Sequence, residues 1–410
     1  MNARPVVLRV AGSLAALVLL AGCGQVRPAE GGEPLEPGWN EIPAAPYSPE
    51  LAGTVAFWTG DELVVSGGYE LPPPFEQVTF RTETYAYSLE SGQWRELEPI
   101  SVPGFDGALS FSGTWTGTAW IGVALPCRNG DVVDEDPSTY CDRVPIGLQW
   151  TSEAGWVTGD PVPPESAGAE SNVVSVAGMT SSSLILTTVT GFLFRDIGAG
   201  ADAPWSFAPW PSGVEPLQAS SACVIDEQIL TVSTVLDLGG DPLDPGESAN
   251  TRPQTLTANT LNLGGEVLGQ RSLSSVPFLP FEPYCQQGRA VFVYTNPGQP
   301  ILRVNAEEVV PLPLDTEGSI DEPPISVSDE WIDVGTGIVS LAPAPGGFYV
   351  DHESGEATPL QPVPIMNVNV WTGELLFTRQ NGSPRWFAFL PRETWQNSSD
   401  LEFPFQTDGD

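Results

Sequence analysis

The tripeptide Trp-Thr-Gly stands at 58–60, 115–117 and 371–373, each time between two short apolar runs. A turn that returns at wide intervals constrains a chain more than its overall make-up does, because it marks copies of one unit. The fullest copy runs from Ala52 to Leu97. One apolar run ends at Trp58-Thr59-Gly60, and a second, Leu63-Val64-Val65, stops at Gly67-Gly68. After a loop come Thr84 to Tyr87, then Gly92, then Trp94 to Leu97. That reads as four short strands with a turn signal after each. Degenerate turns recur at Thr180–Ser183, Asp226–Gln228, Gln286–Gly288 and Asp333–Gly337, again between apolar runs. Composition agrees: charged residues are 16%, against Gly 43 and Pro 42, which suits strands and tight turns better than helices.

In the first unit, Gly67-Gly68 followed by Tyr87 and Trp94 resembles a Kelch motif. The resemblance implies an all-β fold, a β-propeller of four-stranded blades, with the Gly pair permitting a sharp exit from strand two and the Trp packing between blades. The second unit keeps Trp150 and Trp156 without the Gly pair, the last keeps Trp371 and Trp395, and the middle units keep only pattern and turns. A lone four-stranded sheet leaves two apolar faces and two edges open, and radial stacking covers the faces. Seven units are expected, near 52–97, 108–158, 172–210, 219–275, 284–314, 325–361 and 365–396. Six is the alternative, if the last two merge. Trp39 to Ile42 precedes the first unit and is expected as an outer strand that docks beside the C-terminal strands and closes the ring.

Arg4 and Arg9 flank an apolar run from Val10 to Leu20, too short to span a bilayer. It ends Leu20-Ala21-Gly22-Cys23, which resembles the lipobox of bacterial lipoproteins. The resemblance implies a signal peptide over 1–22, lipid attachment (palmitate among the acyl chains) at Cys23, and a place on the outer side of the cell membrane. Residues 24–38 are nearly devoid of apolar side chains and read as a disordered tether. The expected domains are therefore a lipidated tether over 23–38, a propeller over 39–398 and a tail over 399–410.

Fifty-two acids face fifteen bases, a formal net charge of −37. Nucleic acid is excluded as a partner, because phosphate contacts need a cationic patch. Adsorption to anionic lipid is excluded for the same reason.

With Cys23 lipidated, Cys127, Cys141, Cys223 and Cys285 remain, and an exported chain with an even count favours disulfides. Three connectivities are open. Cys127–Cys141 is preferred because it closes one long loop. Cys223 and Cys285 fall at similar places on what read as innermost strands of adjacent units, so a bridge would staple blade to blade.

The loops between strands two and three are long, at 69–80, 124–143 and 237–253, and emerge on the face that carries the blade connections. Phe75, Phe105, Phe278 and Phe281 lie there as candidate contact residues, since binding gathers on irregular loops of a rigid scaffold. Asp131, Asp134 and Asp136 form an acidic cluster able to offer oxygens to Ca²⁺, though without the spacing or glycine of an EF-hand. No other cofactor is indicated.

No catalytic residue can be assigned. His352, the single histidine, reads as part of a surface hairpin turn. The chain has no Gly-x-Ser-x-Gly elbow, no Lys for a phosphate loop and no Ser-x-Asp-x-Gly-x-Thr-Trp box. The reading reached is an anchored binding module whose partner is an envelope protein or glycan. The alternative is an envelope hydrolase acting on glycans or lactones in the central funnel. It would show inward carboxylates with strongly shifted pKa at one mouth.

Overall fold

In the computed structural model, the described residues are 35–46, 53–70, 77–131, 141–142, 144–163, 175–188, 190–200, 202–214, 222–236, 254–276, 281–286, 290–294, 301–304, 309–312, 331–341, 346–354, 356–381, 383–393, 395–398 and 400–403. The chain is an all-β propeller. An N-terminal strand, β1 (Gly38–Ile42), comes first. The first sheet follows with β2 (Val55–Trp58), β3 (Glu62–Glu70), β4 (Gln77–Ser88) and β5 (Gln93–Leu97). The second holds β6 (Gly107–Trp115), β7 (Trp120–Cys127), β9 (Ile146–Thr151) and β10 (Gly155–Pro161), with β8 (Gly130–Asp131) between β7 and β9 in the chain.

The third has β11 (Ser175–Met179), β12 (Ser183–Thr187), β13 (Gly191–Asp196) and β14 (Ser206–Pro209). The fourth has β15 (Ala222–Ile225), β16 (Gln228–Leu236), β17 (Gln254–Leu261) and β18 (Val267–Val276). Next are β19 (Phe281–Gln286), β20 (Ala290–Tyr294), β21 (Ile301–Val304) and β22 (Val309–Leu312), then β23 (Trp331–Asp333), β24 (Gly337–Ser340), β25 (Phe348–Asp351) and β26 (Ala357–Pro359). The last strands are β27 (Met366–Trp371), β28 (Leu376–Gln380) and β29 (Trp386–Leu390). The described strands fall into seven antiparallel hydrogen-bonded sheets.

The expectation of seven four-stranded blades needs correction: six of the described sheets have four strands, the number given as the alternative. The first sheet has five strands, because β8 leaves the second unit and pairs with β4 at Gln77↔Asp131 and Val78↔Gly130. Much of the expected loop 69–80 is likewise strand, since β3 runs to Glu70 and β4 starts at Gln77.

The recurring turn has a local cause. Thr59 donates its backbone N–H to Glu62 O at 3.0 Å, and its hydroxyl oxygen accepts the Glu62 N–H at 3.1 Å. Thr116 with Ala119, Thr180 with Ser183 and Thr372 with Leu375 repeat both bonds. The residue after Thr is Gly in three of these turns, with φ of 108° at Gly60, 97° at Gly117 and 100° at Gly373, a region that costs a side chain dearly.

Alternation along the second strands shows why the sheets stack. Leu63 and Val65 enter a core shared with Phe377 and Trp386 of the last sheet, while Val64 between them enters one shared with Trp120 and Leu148 of the second. Ile121 and Val123 face Leu184 and Leu193 of the third sheet, whose Ile185 faces Val224 and Ile229 of the fourth. Each fully buried Leu or Ile contributes roughly 1.5–3 kcal/mol, so both faces of a sheet are needed for stability.

β1 completes the last sheet. It pairs with β29 from Gly38↔Leu390 to Ile42↔Trp386. Trp39 packs on Phe389 with centroids 4.7 Å apart, and Arg385 forks onto Glu41 at 2.9 and 3.0 Å. Both disulfides form. Cys127–Cys141 closes the loop that contains β8, and Cys223–Cys285 joins innermost strands β15 and β19 of successive sheets with Cα atoms 5.1 Å apart.

Candidate functional site

Antiparallel order sorts the loops. The Trp-Thr-Gly turns lie at one end of the ring. The β3–β4 and β7–β9 loops and the β5–β6 connection lie at the other. At this second end the described residues build a continuous shelf. The β5–β6 connection turns through Phe105, whose N–H donates to Val102 O at 3.0 Å, and Asp106 N–H donates to Cys127 O at 2.9 Å. Asn129 then ties three segments: its N–H donates to Asp106 Oδ2 at 2.9 Å, and its Oδ1 accepts the Phe80 N–H at 2.7 Å. Beneath lie buried Val78, Phe80 and Cys127, with Tyr69, Leu109 and Cys141 packed against them. The apolar floor and the Cys127–Cys141 bridge support the rim from below.

On this rim sits Arg128, exposed. Its guanidinium lies 4.7 Å from the Phe105 ring centroid, and its Nε donates to Gly104 O at 3.1 Å. The stacking and this bond orient the guanidinium over the ring. Four other arginines are paired with acids: Arg81 forks onto Glu70, Arg95 onto Glu62 and Arg385 onto Glu41, and Arg392 meets Asp400. Arg128 makes no ion pair among the described residues. A planar cation stacked on an aromatic ring, with no ion-pair partner among the described residues, is suited to carbonyl, hydroxyl or carboxylate oxygens. Behind it, burial pushes the Tyr69 phenol above its ordinary pKa, so that ring stays neutral.

The residues singled out in the sequence divide. Phe105 is on the shelf but half-buried, packed against the core between the first two sheets and covered by Arg128, so it anchors the cation. Asp131 belongs to β8 by its backbone. Phe281 opens β19 opposite Tyr294. Their side chains, with Cys23, Phe75, Phe278, Asp134 and Asp136, lie outside the described residues. Among the described residues no three His, Cys, Asp or Glu are grouped to hold a metal.

His352 is tied into the β25–β26 turn. Its N–H donates to Thr336 O at 3.0 Å, and its carbonyl accepts Arg303 Nη1 at 3.1 Å. Asp351 is the one acid with a resolved shift among the described residues. Burial pushes its pKa up, but hydrogen bonds from Ser354, Tyr349 and Gln396 outweigh this and hold it below the usual range. Arg128 was missed in the sequence reading. Its signal was available: a base inside an acidic loop, next to the cysteine that clamps that loop.

The fold and the shelf define a class, an all-β propeller with a disulfide-braced rim. No protein-family model matches the chain, and no curated protein matches it. Among solved structures it is similar to PorZ, an essential bacterial surface component of the type-IX secretion system of Porphyromonas gingivalis, with TM-score 0.49 and 11% identity over 90% of this chain. The chain spans 40% of that protein's length. It is similar to a catalytically inactive virginiamycin B lyase from Staphylococcus aureus with quinupristin, with TM-score 0.44 and 11% identity over 87% of this chain and 100% of that one. It is also similar to YCF48 bound to D1 peptide, with TM-score 0.46 and 10% identity over 89% and 99%.

Proposed function

We propose that this chain is a lipid-anchored binding module on the outer side of the cell membrane, with the Arg128 shelf as its contact face. The anchoring rests on Leu20-Ala21-Gly22-Cys23 and its flanks. Two disulfides support an oxidising compartment. The observation that carries the contact face is Arg128 itself: exposed, stacked on Phe105, bonded to Gly104 O and, in a chain of net charge −37, without an ion-pair partner among the described residues. The partner is an envelope protein, neutral or basic overall. The acidic surface would steer it in, and its oxygen acceptors would meet the Nη groups. A glycan is the second partner class.

Photo-crosslinking in intact cells tests this. A crosslinker placed at Asn129 is expected to trap one discrete partner, and Arg128→Ala is expected to abolish the adduct. A crosslinker at Gly60, among the Trp-Thr-Gly turns, is the control. Equal trapping from both positions would refute the assigned face. Cys23→Ser is expected to release the protein from membranes, which tests the anchor separately.

A further inference from the structure

We propose that the seam between the second and third sheets holds a small monovalent anion, chloride in a chloride-containing medium, gripped by Arg195 and Trp205. Arg195 is 2% exposed, on β13 opposite Leu184. Its Nη2 donates to Gln149 Oε1 at 3.2 Å, across the seam, and to Gly200 O. Its Nε and Nη1 are buried and meet no acceptor among the described residues. The guanidinium carbon lies 5.8 Å from the Trp205 ring centroid, and Trp205 Nε1, also buried, meets no acceptor either. Gly147 makes room for that indole edge, since a Cβ there would come within 3.1 Å of Trp205 Nε1. The walls are Leu184, Leu193, Ile121 and Val162.

Each unmet buried donor costs roughly 1–3 kcal/mol, which favours a bound acceptor at this seam. The unmet atoms on these two side chains are all donors. A water molecule would satisfy two of them and bring two O–H groups needing acceptors of their own. An anion accepts from all and donates nothing. The charge balance agrees: the acid acting on Arg195 is Asp202, which is exposed, and burial pulls the Arg195 pKa down for want of a close counter-charge. The net charge of −37 opposes an anion, but the buried Arg195 cation lies far closer to this position than the surface carboxylates do, and Coulomb attraction falls with distance. Other orphaned indole donors, at Trp150 and Trp395, sit singly in other cores. Only here does a guanidinium share a seam with one among the described residues.

Crystals grown from sodium bromide decide the matter. The expected result is an anomalous peak within hydrogen-bond reach of Arg195 Nη1 and Trp205 Nε1. Ordered water alone at that position would overturn the proposal. In solution, chloride is expected to raise the unfolding midpoint above that in sodium gluconate of equal ionic strength. Trp205→Phe keeps the ring and loses one donor, so it is expected to need several-fold more chloride for the same shift. It covers the case in which Arg195→Gln does not fold. An unchanged chloride response in Trp205→Phe counts against the site.

Discussion

Glu227 Oε1 accepts the backbone N–H of Ser181 at 2.7 Å from the turn of the next sheet, and Glu227 Oε2 lies 3.3 Å from the Ser181 hydroxyl. Ser181 stands where the parent turn has glycine. Asp226 and Glu227, by contrast, both sit in the left-handed region, at φ 48° and 62°, without being glycine. The turn therefore trades backbone strain for a latch between neighbouring sheets. The two residues are expected to respond with opposite signs. Asp226→Gly relieves strain and is expected to stabilise by about 0.5–1 kcal/mol. Glu227→Ala keeps the strain and loses the latch, with an expected cost of about 1 kcal/mol, since the bond is charge-assisted but exposed. Denaturant midpoints of the two variants check this. A gain from Glu227→Ala would show that the latch holds nothing.

Asp351 gives a pH signature. Its Oδ1 accepts N–H groups of Glu353 and Ser354 at 3.0 and 2.7 Å and the Ser354 hydroxyl at 2.9 Å, and its Oδ2 accepts the Tyr349 hydroxyl at 3.2 Å. Its folded pKa is lowered, so the unfolded chain takes up the proton first. Its contribution is complete above the unfolded value of about 4 and is lost as pH falls through the folded value. Asp351→Asn is expected to cost about 1 kcal/mol at pH 7, with the gap to the native sequence closing between roughly pH 4 and 2. The difference between the two proteins is the quantity to follow, because acid also relieves the general self-repulsion. A gap constant down to pH 2 would exclude the carboxylate as its source.

The two disulfides are expected to differ in worth. Cys223–Cys285 spans 62 residues and Cys127–Cys141 spans 14, so loop closure gives about 4 and 3 kcal/mol. Replacing both members of a pair with Ala is the test. The 127–141 pair also braces the shelf, so its loss is expected to weaken partner capture at Asn129 more than its stability cost explains. Removal of the 223–285 pair should lower stability and leave capture intact below the unfolding midpoint. Equal effects on capture would mean that the bridge does not shape the rim.

Much of the ring was legible in the sequence, because its signals are local. Trp58-Thr59-Gly60 and its copies announce their own hydrogen bonds, and the alternation of Leu63, Val64 and Val65 states which side each faces. Register placed Cys223 against Cys285 for the same reason. What escaped depends on distant partners. Nothing near Gly130 says that it will pair with Val78, so an extra strand read as loop. Nothing beside Arg195 says that Gln149 and Trp205 will close over it. Phe105 reads in the sequence as a candidate contact residue, and nothing beside it marks the cation that covers it.

Ring closure supplies the last prediction, and magnitudes decide its shape. β1 is held by three kinds of contact: the ladder to β29, the Arg385–Glu41 fork, and Trp39 against Phe389 and Phe403 at 4.7 and 5.3 Å. Arg385 is 33% and Glu41 41% exposed, so Glu41→Gln is expected to cost under about 1 kcal/mol. Trp39 is half-buried among aromatic rings, and Trp39→Ala is expected to cost about 2 kcal/mol, below the range for a fully buried ring. A chain beginning at Pro43 lacks β1 altogether and bares the edge of β29. An open edge invites pairing between chains, so this truncation is expected to self-associate in sedimentation experiments where the longer chain stays single. A synthetic peptide covering residues 35–43 should compete with that association. A truncated chain that remained monomeric, with an unchanged midpoint, would show that the ring closes without its N-terminal strand.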